Sequence, residues 1–220
     1  KPYRDGLLKG FPFLKDEEVH AITNGFDPED FSKARFHKFD KFSILHAGNI
    51  FGLRMGHFEV FCKALHCLVK KGKIKDFQIV LVGDLPTEEK IRELVLEFDL
   101  STRLFRLGRK THKETVQFML GADILLLVPG SPNNMPAKTF EYLAAGNFIL
   151  NLSDSSSETA LIIRDADAGL TVKPDLPSLQ EKLPPIFNLK NYKIKRNMKV
   201  DNFSRITLTK KLASIFDSNL

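Results

Sequence analysis

Six short runs of this chain consist almost wholly of residues that favour a pleated, buried backbone, and longer amphipathic stretches separate them. The runs are FSILHA at 42–47, QIVLV at 78–82, RLFRL at 103–107, DILLLV at 123–128, FILNL at 148–152 and GLTV at 169–172. Four are near-continuously hydrophobic, the pattern of strands covered on both faces. Between them, residues 57–70, 87–98, 112–120 and 136–145 repeat apolar side chains at three and four, as a helix with one buried face does. Pro86 and Thr87 open the second of these helices, and Gly72, Gly121 and Gly146 stand where helices would stop. Strand–helix alternation of this kind predicts an α/β fold, a Rossmann-like doubly wound parallel sheet with helices as crossovers.

The first forty residues break that rhythm. Residues 19–23 read as a lone strand, followed by the turn cluster NGFDPEDF. Residues 1–40 are therefore expected to be a linker and the remnant of a preceding domain, with the sheet domain at 41–187 and C-terminal helices at 188–220. Residues 174–185 are punctuated by proline, and 205–216 (RITLTKKLASIF) predict a last amphipathic helix.

With 220 residues, 43% of them hydrophobic, the chain can bury one substantial core. Its 33 Lys and Arg against 27 Asp and Glu give a net charge of +6, which favours an anionic partner without naming it. Many of the cations fall between 190 and 211, where a solvated helix face explains most of them and membrane headgroups are the rival partner. No interleaved aromatic platform accompanies them, so nucleic acid is not expected. Cys62 and Cys67 fit neither a redox pair nor a zinc site and predict buried, reduced thiols. No apolar run approaches the ~20 residues of a membrane span, and the first ten residues do not resemble a signal peptide. A cytoplasmic location is the expectation.

In an open parallel sheet, ligands bind beyond the carboxyl ends of the strands, so the loops there matter most. The first, GNIFGLRMG at 48–56, begins with Gly48 and Asn49 and places Arg54 near a helix N-terminus; it reads equally as a plain turn or a phosphate loop. It lacks the spacing of a dinucleotide fingerprint or a Walker A loop. Gly83 and Asp84 follow the second strand. LGRKTHKE, with Arg109, follows the third. For these two, a tight turn and a helix cap are the simpler readings.

The fourth loop, PGSPNNMPAKTFEYLAAG at 129–146, is the most specific. Asn134 is placed to cap a helix with Pro136 in its first turn. Amides near Met135, Ala137 and Lys138, with the helix dipole and the Lys138 ammonium, would attract a diphosphate. Glu141, just inside that helix, is a suitable acceptor for two ribose hydroxyls.

Taken in order, ITNGFDPEDF, ILHAGNIFGLRMG, IVLVGDLPTEEKIRELV, LFRLGRKTHKETVQFMLGADILLLVPG, PAKTFEYLAAGNFIL and FSRITLTKKLASIF resemble the donor domain of group 1 retaining glycosyltransferases, over residues 19–218. The resemblance implies one half of a double-Rossmann, GT-B architecture, whose acceptor-binding N-terminal domain is a missing partner. It implies that Glu141 holds the nucleotide ribose, while Asn133 stands where the family has its other glutamate. Asn49 takes the place of the family arginine, and Arg54 stands in for its lysine. Arg109 falls in the loop that reads the base, and residues 24–27 match the interdomain linker.

The implied ligand is a nucleoside-diphosphate sugar, UDP ahead of GDP on family frequency, with no tightly bound cofactor and no metal. Arg54 and Lys138 would stabilise charge on the departing diphosphate. The implied role is sugar transfer to a glycan, lipid-linked or small-molecule acceptor in bacterial surface polysaccharide synthesis, with peripheral contact at the inner face of the membrane. The chain alone would bind nucleotide and transfer no sugar. A nucleotide- or sugar-phosphate-sensing module without catalysis is the alternative.

Overall fold

Strand β1 (Phe42–Ala47) is buried at every position, which a six-residue strand achieves only at the centre of a sheet covered on both sides. In the computed structural model, which describes residues 2–84, 88–131, 135–189 and 198–218, β1 pairs in parallel with β2 (Phe77–Val82) and β4 (Ile124–Leu127). The sheet is completed by β3 (Leu104–Gly108), β5 (Phe148–Leu152) and β6 (Gly169–Val172), in the order β3-β2-β1-β4-β5-β6. Every pairing is parallel. The order reverses between β1 and β4, the topological switch point of a doubly wound sheet.

The helices, in chain order, are α1 (Pro2–Gly10), α2 (Pro28–Ser32), α3 (Leu53–Lys70), α4 (Glu88–Glu97), α5 (His112–Gly121), α6 (Lys138–Ala145), α7 (Glu158–Asp165), α8 (Leu176–Ile186), α9 (Met198–Asp201) and α10 (Arg205–Asp217). On one face of the sheet, Phe42 and Ile44 of β1 pack with Phe58, Phe61 and Leu65 of α3, Ile91 and Leu94 of α4, and Leu179 and Leu183 of α8. On the other, Leu45 and Ala47 pack with Met119 of α5, Phe140, Tyr142 and Leu143 of α6, and Ile163 of α7. The period-two alternation along β1 thus feeds two separate cores.

The structure corrects several expectations. Residues 19–23 form no strand, because no neighbour presents a paired edge. Their carbonyls instead take side chains, Arg4 Nε donating to Val19 O and Lys211 Nζ to Ala21 O. The proline-punctuated stretch is helix α8. Asp175 Oδ1 caps it by accepting from Ser178 N at 2.9 Å, Pro177 sits in the first turn where no amide partner is lost, and Pro184 and Pro185 fall in the last turn. Helix α3 begins at Leu53, four residues before the apolar repeat. Cys62 is buried, whereas Cys67 is only half-buried. Pro86 and Thr87 lie outside the described residues.

The segment before the sheet and the final helix are joined. Phe26 bridges Ser204, with Phe26 N donating to Phe203 O at 3.1 Å and Arg205 N to Phe26 O at 2.8 Å. The Phe26 ring is buried in the α5–α7 core, and Ser204 Oγ caps α10 by accepting from Thr207 N. Among the described residues, no helix is long and apolar enough to cross a membrane.

Candidate functional site

The switch point brings the loops after β1, β2 and β4 together. Gly48 N donates to Val82 O at 2.8 Å and Gly83 N to Gly108 O at 3.0 Å, so the ladder runs on into both loops. Gly48 and Gly83 have φ of +140° and +136°, a region open to glycine. A side chain at Gly83 would also stand 2.9 Å from Gly48 O, so the two loops touch backbone to backbone. Gly83 is therefore placed by close approach of the chain.

Arg54, in the first turn of α3, reaches across the switch point. Its Nε donates to Pro129 O and its Nη1 to Asn49 O, both at 3.3 Å, and its guanidinium lies 5.6 Å from the centre of the exposed Phe51 ring. The guanidinium has five N–H donors, of which these bonds use two. Gly130 permits the crossing: a Cβ there would meet Arg54 Cγ at 2.7 Å. Asn49 contributes its carbonyl to this clasp and is itself exposed.

Helix α6 starts later than its sequence suggests. Ala137, in helical conformation, is the N-cap and offers no side-chain cap; Asn134, the expected cap, and Asn133 lie outside the described residues. Pro136 precedes the helix instead of entering its first turn. Thr139 N and Phe140 N turn back to the Pro136 and Ala137 carbonyls at 3.0 and 3.1 Å, so the amides of Ala137 and Lys138 precede that turn. Met135 packs its side chain on the α5–α7 core. At the mouth of the helix, Lys138 Nζ donates to Glu141 Oε2 at 2.5 Å, with the side chains 30% and 17% exposed. The two groups assigned to diphosphate and ribose are thus paired with each other.

Arg109 stands at the rim, its side chain 84% exposed and 3.9 Å from Asp84. The rest of its loop is a helix cap. Thr111 Oγ1 accepts from Glu114 N while Glu114 Oε2 accepts from Thr111 N, a reciprocal box that holds the Glu114 carboxyl below its usual range.

One residue of the site escaped sequence reasoning. His46, near the end of β1, is 5% exposed. Its Nδ1 lies 2.9 Å from Leu126 O, and its Nε2 is buried without a hydrogen-bond partner. Burial lowers its pKa to about 4; the Leu126 bond opposes the shift, and the charges of Arg54 and Lys138 reinforce it. A lone histidine in an apolar strand reads as core. The available signal was its position two residues before Gly48, on a strand whose carboxyl end faces the crevice.

The family model described as Glycosyl transferases group 1 matches residues 29–198. The chain belongs to this family. A search of curated proteins returns no match. Among solved structures, this group 1 glycosyltransferase chain is similar to a glycosyltransferase from Rickettsia africae at 18% identity and TM-score 0.76, covering 98% of this chain and 61% of that one. It is similar to the sucrose-phosphate synthase of Thermosynechococcus elongatus at 18% identity and TM-score 0.73, covering 99% and 56%. A third neighbour is HepE of Anabaena in complex with UDP and glucose, at 14% identity and TM-score 0.70, covering 94% and 59%. These likenesses show the Rossmann-like fold of GT-B glycosyltransferases, and the chain spans about three-fifths of the neighbours' length.

Proposed function

We propose that this chain binds the donor, a nucleoside-diphosphate sugar, for a retaining glycosyl transfer. The observation that carries the reading is Arg54 lying across the loops after β1 and β4 at the switch point, where an α/β sheet takes its ligands. In this reading the diphosphate lies between Arg54 and the start of α6, meeting the Lys138 ammonium, the Ala137 and Lys138 amides and the positive end of the helix dipole. Gly48 and Gly83 keep the floor of the crevice free of side chains. Glu141 leaves Lys138 in part to accept the two ribose hydroxyls, and Arg109 and the loop around it border the base.

The chemistry follows from charge. As the bond from the anomeric carbon to the diphosphate breaks, its electron pair goes to the leaving oxygen, and negative charge grows there. Fixed cations and amides beside that oxygen lower the barrier without reorganising. No metal is assigned a part in this. The acceptor and any groups that bind it belong to a further N-terminal domain, so the 220 residues alone bind nucleotide and transfer no sugar; turnover by the purified chain would refute this. UDP is the proposed nucleotide, in keeping with HepE bound to UDP and to UDP-glucose. The proposed setting is the cytoplasmic face of a bacterial membrane, in surface polysaccharide synthesis, touching the membrane peripherally; the lipopolysaccharide outer core galactosyltransferase WaaB is among the structural neighbours.

Calorimetric titration with UDP, GDP and ADP tests the reading. One nucleotide binds, and Glu141→Ala weakens it by about ten- to a hundredfold, the worth of hydrogen bonds to a charged group. Binding that ignores the substitution removes the ribose assignment.

A further inference from the structure

His46 is a buried polar group at this site to which the donor-binding roles assign no function. A carbonyl can only accept, so the 2.9 Å contact with Leu126 O puts the ring proton on Nδ1 and leaves a lone pair on Nε2. That lone pair is buried and unpartnered, and a Cβ built on Gly48 would lie 3.7 Å from it, so the ring edge is directed at the glycine loop. An orphaned acceptor in the interior is costly, and such groups gather at functional sites.

The surroundings of the ring are cationic. Arg54 of α3 and Lys138 of α6 both act on it, the latter paired with Glu141. Tyr142 of α6 shares Leu126 O at 3.4 Å; its hydroxyl accepts from Ala47 N, and burial holds it protonated. Strand β4 offers only the Leu126 carbonyl to the ring. A positive imidazolium is therefore opposed by its neighbours while the crevice holds no anion. A diphosphate between Arg54 and Lys138 reverses the sign of the local field and supplies an acceptor for Nε2–H.

We propose that His46 is a ligand-recruited diphosphate contact, taking up a proton on Nε2 when a nucleoside-diphosphate sugar binds and donating it as a hydrogen bond to a phosphate oxygen. The inference rests on the donor-binding reading. The proton comes from solvent: the diphosphate diester of a nucleotide sugar has no group that titrates near neutrality, and no bond other than the N–H is made. An opposite charge at hydrogen-bond distance raises a pKa by about one to three units, enough to carry a buried histidine to near pH 6.

UDP-glucose is the probe, titrated calorimetrically at pH 6 and pH 8 in buffers of different ionisation enthalpy. Expected are uptake of about half a proton per site at pH 6, almost none at pH 8, and binding about twofold tighter at pH 6. His46→Gln binds without uptake and with one affinity at both pH values. Binding by the natural protein without uptake, or uptake that persists in His46→Gln, overturns the proposal; in the first case the lone pair accepts from a sugar hydroxyl. Should His46→Gln fail to fold, ring NMR of the natural protein decides: the His46 midpoint moves up by two units with UDP-glucose, and an unmoved midpoint overturns the proposal. Absence of binding to both UDP-glucose and GDP-mannose at either pH overturns the donor reading, and this inference with it.

Discussion

Lys138 and Glu141 meet at 2.5 Å one turn apart on α6, so the cation and carboxylate assigned to neighbouring parts of one ligand hold each other in the meantime. The contact fixes both side chains at the start of α6, where the proposed diphosphate and ribose would meet them. The pair is partly exposed and its worth to stability is small, within the range of surface ion pairs. Its importance is in orientation.

Lys138→Met separates these roles. The affinity for UDP should fall about tenfold with loss of one charge-assisted bond, while uridine, which carries no phosphate, binds unchanged. Fluorescence or calorimetric titration with both ligands checks this, and an equal loss for both would assign Lys138 to the nucleoside.

The contact between the loops after β1 and β2 predicts a large backbone effect. Gly83→Ala forces a Cβ to 2.9 Å from Gly48 O at a φ that only glycine adopts readily. The expected destabilisation is roughly 2–4 kcal/mol by urea denaturation, combining strain with displacement of the first loop. Gly72→Ala is the control, since its added Cβ meets nothing within 4 Å and only a positive φ of 65° opposes it. The smaller cost there, about 1 kcal/mol, isolates the contact.

The ligand-free protein should lose stability in mild acid through His46. Its folded pKa, about 4, lies below the ordinary 6.5, so between these values the unfolded chain binds more protons. The stability it contributes is complete above pH 6.5 and is lost as pH falls through 4, up to roughly 3 kcal/mol. Denaturation curves of the natural protein and His46→Gln should converge toward low pH, and parallel curves would show that His46 does not titrate in this way.

The two thiols should differ in reactivity. Burial pushes the Cys62 thiol well above its usual range and shields it, whereas Cys67 is partly accessible on the same helix. A thiol reagent at pH 8 should label Cys67 first, and Cys62 only as the protein unfolds. Cys67→Ser abolishes the fast phase.

The sheet was legible in the chain because strands covered on both faces have little choice of composition. All six appear within a residue or two of their expected ends. Helix α8 was not, because proline marks loops and the first and last turns of helices alike, and only the Asp175 cap and the buried Leu179 and Leu183 tell them apart. Residues 19–23 failed for the opposite reason: strand-like composition makes no strand without an edge to join. Within the site, Arg54 reaches the switch point as its loop position suggested, but its use as a clasp between two carbonyls depends on Gly130, 76 positions away, which local pattern does not encode. The late start of α6 was hidden as well, since Pro136 suits the residues just before a helix as readily as its first turn.

The bridge between Phe26 and Ser204 has a mechanical meaning. The strand of chain that enters the sheet domain and the one that leads into α10 are laced together by two peptide bonds' worth of donors and acceptors, with the Phe26 ring anchored beneath them. A pull on residues 19–25 is therefore borne by the start of α10 as well. Cutting the chain after Phe203 would remove the helix and also the Arg205 N–Phe26 O bond that ties down the entry segment.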